Sequence, residues 1–112
     1  MSANRRRGEI SAELDGRQRK LCLTLGALAE LEAAYAADDL SALVERFSTG
    51  RLSALDMIRV IGAGLRGAGE DVADDAVGAM QAEGGATGFA AIVADLLSTT
   101  FGAAKDAPAP NP

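Results

Sequence analysis

The stretch Glu9–Leu25, EISAELDGRQRKLCLTL, decides the fold. Ile10, Ala12 and Leu14 alternate with Glu9, Ser11 and Glu13, and Leu21, Leu23 and Leu25 alternate with Lys20, Cys22 and Thr24. A period of two gives each strand one apolar face. Asp15-Gly16 lies between the two runs and is a hairpin signal, because the favoured tight turns need positive φ, which glycine adopts without strain. A loop of two or of four residues preserves parity, so both apolar rows land on one face. A lone hairpin is marginal in water, and that face must therefore pack on helices.

Downstream of Leu25 the apolar period lengthens to that of a helix. Leu28, Leu31 and Tyr35 form a stripe over residues 25–35, and Leu40, Leu43, Val44 and Phe47 form another over residues 39–48, with Gly50 placed to end it. Ser53-Ala54-Leu55-Asp56 resembles a capping box, flanked by Leu52 and Met57 as a hydrophobic staple. Leu55, Ile58, Ile61 and Leu65 are its expected buried stripe. A short helix is expected near residues 74–82, stopped by Gly84-Gly85, and a last one over residues 87–101 carrying Phe89, Ile92, Val93, Leu96 and Leu97. The fold class is α+β: one N-terminal antiparallel β-hairpin packed on a bundle of four to five short helices. Residues 1–7 are expected to be a flexible basic N-terminus, residues 8–102 a single domain, and residues 103–112, with Pro108, Pro110 and Pro112, a disordered tail. The expected core is Leu21, Leu23, Leu28, Leu43, Phe47, Ile58, Leu65, Phe89, Ile92 and Leu96.

Composition narrows the function. The chain of 112 residues suits one domain. Its 48% apolar content is largely alanine, with only 4% aromatics, so helices approach closely and each side chain buries little area. No window of about 18 apolar residues forms a membrane span, and the basic start is not followed by a signal-peptide core, so a cytoplasmic location is expected. The single cysteine, Cys22, has no partner for an internal disulfide, and with no histidine in the chain it has no ordinary base to activate it. Missing histidine also excludes Ser–His–Asp and His-based zinc arrangements. No catalytic, cofactor-binding or metal residue is assigned. The acidic pairs Asp38/Asp39, Glu70/Asp71 and Asp74/Asp75 suit helix starts rather than a metal, since EF-hand spacing is absent. Gly62-Ala63-Gly64-Leu65-Arg66-Gly67 spells a dinucleotide fingerprint, but at the end of a helix rather than between a strand and a helix. Net charge is −5, divided between +3 over residues 1–20 and −8 over the remainder, which argues against nucleic acid as the partner.

Several segments in this order resemble one family. They are Asn4 to Ile10, the Asp15-Gly16 hairpin, Leu23 to Glu32 (LTLGALAELE), Leu52-Ser53-Ala54, Gly64 to Gly69 and Glu83-Gly84-Gly85. Together they resemble the tail-assembly-chaperone-like proteins of alphaproteobacterial gene transfer agents, phage-derived particles that carry host DNA. The resemblance spans residues 4–102, with Ala73 standing where a Ser or Thr helix cap is expected. It implies a non-enzymatic chaperone that binds the tape measure protein, helps recruit the tail tube protein, and leaves before the particle is complete. The alternative is a structural tail or head-tail joining component that stays. Either role works by protein binding. The candidate surface is the LTLGALAELE helix face, at Ala27, Ala29, Glu30, Ala33 and Ala34, with the outer row of the hairpin. Small side chains there let a partner helix approach closely.

Overall fold

The computed structural model describes residues 4–48 and 52–106. Strands β1 (Glu9–Leu14) and β2 (Arg17–Cys22) form a two-stranded antiparallel sheet. Leu14 pairs with Arg17, so the loop is the two-residue one, and Asp15 and Gly16 take φ of 55° and 75°. Those values are the twist-matched hairpin turn that Asp-Gly favours. Five helices follow: α1 (Leu25–Tyr35), α2 (Leu40–Ser48), α3 (Ala54–Gly67), α4 (Asp74–Gly78) and α5 (Gly85–Asp106). The α+β expectation is met.

Ile10, Ala12, Leu14 and Leu21 are buried on one face of the hairpin, which packs on α3 and α5. The row does not extend to Leu25. Strand β2 ends at Cys22, Thr24 caps α1 by accepting a hydrogen bond from the Ala27 amide, and Leu25 is 79% exposed. The register also places Arg17 and Arg19 on the apolar face, opposite Leu14 and Ala12. Arg19 is accommodated because its Nε donates to the Leu14 carbonyl and its Nη1 pairs with Glu70, just beyond α3. Burying a charge is tolerable only with such partners.

Helix α3 is the centre of the molecule. Its capping box is complete: Ser53 Oγ accepts from the Asp56 amide and Asp56 Oδ2 accepts from the Ser53 amide. From Val60 to Leu65 every residue is buried, because the hairpin, α1, α4 and α5 surround the helix. The period-3.6 expectation therefore fails at two places: Val60 is fully buried, and Leu55, in the first turn, is 52% exposed. The fingerprint glycines serve this packing. A β-carbon on Gly67 would lie 2.1 Å from the Cys22 carbonyl oxygen, and one on Gly64 would lie 2.8 Å from Leu96 Cδ2.

Of the expected core, Leu21, Leu23, Leu28, Leu43, Phe47, Leu65 and Leu96 are buried, whereas Ile58, Phe89 and Ile92 are half-buried at its rim. Helix α4 stops at Gly78 rather than near residue 82: Ala73 offers no side-chain cap, and five residues give little intrahelical bonding. Helix α5 begins at Gly85, two residues early, and continues to Asp106, past the expected end. At the N-terminus, Arg5–Arg7 form a single 3-10 turn, with the Arg7 amide donating to the Asn4 carbonyl, and residues 1–3 lie outside the described residues. Gly50 and the Pro-rich residues 107–112 lie outside the described residues.

Candidate protein-binding surfaces

Helix α1 divides the five expected binding residues. Ala27 is 3% exposed and faces the hypothetical β-carbon of Gly67, so it belongs to the α1–α3 contact and cannot receive a partner. This corrects the expectation, and the cause is non-local: the close approach of Gly67 covers that side of the helix. Ala29, Glu30, Ala33 and Ala34 are on the open side. Glu30 is held, since Arg66 Nη2 donates to its Oε1 at 2.7 Å and Nε does so at 3.2 Å. Arg66 Nη1 also reaches Asp74 Oδ1 and the Val72 carbonyl, tying α1 to α3 and to the start of α4. What remains accessible is a shallow alanine face continuing from Leu25.

The turn after α1 and the start of α3 share a polar knot. Asp56 is 4% exposed. It accepts from the Tyr35 hydroxyl and from the Ser53 amide, and Arg46 Nη2 lies 3.4 Å from Oδ1. The Tyr35 ring meets Phe47 edge-on at 5.4 Å and lies under the guanidinium groups of Arg46 and Arg59. Burial raises the Asp56 pKa, but the hydrogen bonds from Tyr35 and Ser53 and the Arg46 charge outweigh it, leaving the carboxyl below its usual range. Burial, then the Asp56 hydrogen bond, push Tyr35 up to about 12. The knot fixes helices and presents no open acid or base.

A sign follows for acid stability. The folded Asp56 carboxyl titrates below the unfolded one, so its contribution is present above about pH 4 and is lost as pH falls through the lower folded value. Asp56→Ala should cost about 1–3 kcal/mol at neutral pH. Thermal melts of both proteins from pH 7 to pH 2 should show a gap that is constant above about pH 4 and narrows as pH falls below it toward the lower folded value. A gap that stays constant over that range would show that the loss is packing alone.

Cys22 gives no nucleophile. Burial pushes its thiol pKa up, the Glu9 charge adds to this, and Sγ sits 3.6 Å from the Arg7 carbonyl as a weak donor. Among the described residues no group of three or more His, Cys, Asp or Glu side chains is placed to hold a metal, and no helix is long and apolar enough to cross a membrane.

Two further surfaces are open. On α2, Leu40 and Val44 are 40% and 37% exposed beside the buried Leu43 and Phe47. A groove runs along β1, bounded by Ser11, Glu13, Ala82, Glu83, Ala91 and Ile92. The hairpin tip is fixed at one end of it: the Asp15 amide donates to the Gln81 carbonyl at 2.8 Å, and Asp15 Oδ1 accepts from the Gln81 amide at 2.9 Å. The sequence pointed to the outer row of the hairpin but carried no sign of the loop and helix that turn this edge into a groove.

A family model described as "Phage tail tube protein, GTA-gp10" matches residues 7–103. No curated protein and no solved structure matches. The match upholds the gene-transfer-agent and tail parts of the resemblance. Its description names a tube protein, and says nothing of a chaperone or a tape measure protein.

Proposed function

We propose, from the premise that the chain belongs to the phage tail tube protein, GTA-gp10 family, that it is a structural component retained in the tail of a phage-like particle, acting by protein contact without catalysis. The family match over residues 7–103 carries this reading. The site chemistry agrees with it: the buried carboxylate, Asp56, is committed to a helix cap and an ion pair with Arg46, and the open surfaces include apolar patches and a backbone edge suited to protein partners.

A second reading is kept because one observation favours it. The ordered segments around LTLGALAELE resemble assembly chaperones, which bind the tape measure protein and depart. The two readings differ in the finished particle. Quantitative mass spectrometry of purified particles should find this chain in fixed stoichiometry with the other tail proteins. Its absence from particles whose assembly nevertheless requires it would overturn the structural role and leave the chaperone.

A further inference from the structure

We infer that the outer edge of β1 is a docking site for an extended segment of another tail protein, one that alternates small apolar and basic residues. The identity of the carrier rests on the tail reading; the site itself does not. In a hairpin closed by the Leu14–Arg17 pair, residues 10, 12 and 14 turn their backbone groups toward β2, and residues 9, 11 and 13 turn theirs outward. The ends of that outward row are already used. The Glu9 amide donates to the Asn4 carbonyl at 3.1 Å, and beyond the other end the Asp15 amide is taken by Gln81. Between them, the amides and carbonyls of Ser11 and Glu13 have no backbone partner among the described residues. A strand laid there would satisfy these four groups.

The groove decides which strand fits. Its floor beside this edge is Ala82, Ala91 and the half-buried Ile92, so alternate side chains facing α5 must be small and apolar. Its margins carry Glu13 and Glu83, neither of which is in an ion pair among the described residues. Residues 1–20, which include most of the hairpin, are themselves basic, but the whole chain has a net charge of −5, which adds a modest long-range attraction for a basic segment. The same charges disfavour a second copy. Antiparallel pairing of two β1 edges about Ser11 sets Glu9 of one against Glu13 of the other, and like charges directly opposite are destabilising.

The test titrates the full chain with a synthetic ten-residue peptide alternating lysine with valine or threonine, followed by amide NMR shifts and hydrogen exchange. The control peptide carries glutamate in place of lysine. The Ser11 and Glu13 amides should shift and slow in exchange with the lysine peptide only, and less so at high salt. Glu13→Lys combined with Glu83→Lys should weaken binding at least about tenfold, as expected for lost charge complementarity. Ser11→Pro should abolish it, whereas Ser11→Ala, which removes only the Ser11 Oγ hydrogen bond to Gln18 Oε1 and keeps the outward amide, should still bind, with the two variants melting close together. Unmoved Ser11 and Glu13 amides, equal binding of the glutamate peptide, or concentration-dependent self-association through these amides would each overturn the proposal. The tail reading is tested apart from it. If Ser11→Pro supports normal particle yield where deletion of the chain abolishes it, the edge site is wrong and the tail role stands. If deletion leaves tailed particles unchanged, the tail role is wrong whatever the peptide does.

Discussion

Gly67→Ala should lower the melting temperature by roughly 10 °C, although alanine is the better helix former by about 1 kcal/mol. The new β-carbon would sit 2.1 Å from the Cys22 carbonyl oxygen and 3.3 Å from Ala27 Cβ. Neither neighbour can rotate away, because one is backbone and the other has no further torsion. Strand β2 or helix α1 must shift from α3, and overpacking of this kind costs about 1–3 kcal/mol, occasionally more. The control lies in α4. A β-carbon on Gly78 meets only Ile58 Cδ1 at 3.4 Å, an ordinary contact, so Gly78→Ala should be neutral or slightly stabilising. Thermal denaturation of the two variants separates the readings. If Gly67→Ala melts with or above the parent, the close approach of α3 to the hairpin is not as described.

The contrast between these glycines shows what local sequence can carry. The Asp15-Gly16 turn and the Ser53–Asp56 box were readable because each is complete within four or so residues, and the chemistry of the turn or cap is in the residues themselves. The burial of Val60 was not, since it depends on the hairpin, α4 and α5 surrounding α3 on more than one side. Arg19 shares the row of Leu21 by parity, and only Glu70, fifty-one residues away, makes a charge on that apolar face tolerable. Ile58, Phe89 and Ile92 carried the same stripe signal as Leu65 and Leu96 but sit at the rim, because periodicity gives a direction and not a depth. The candidate surface divides in the same way. Ala29, Ala33 and Ala34 are open as helix geometry suggested, while Ala27 is lost to a glycine forty residues on. The β1 edge followed from strand order, yet its groove needed α5 and the loop at Ala82 to be in place.

Leu96→Ala should be the most costly single truncation in α5, at about 2–5 kcal/mol, and its cost should depend on Gly64. Leu96 is 0% exposed, whereas its neighbour Leu97 is only half-buried. Its Cδ2 fills the space above Gly64, 2.8 Å from where a β-carbon would stand, with Leu21 Cβ and Cδ2 both at 3.3 Å. Gly64→Ala alone therefore pushes Leu96 from its rotamer and crowds Leu21, offsetting any gain in helix propensity. With Leu96 truncated, the added methyl occupies part of the cavity instead of clashing. The double variant should thus lose less than the sum of the two single losses, with a coupling of about 0.5–3 kcal/mol, the range seen for residues in contact. Urea denaturation of the four proteins, compared at a common slope, measures this cycle. Additive losses would mean that Leu96 and Gly64 do not share the space, and that α5 does not cross α3 at the glycine.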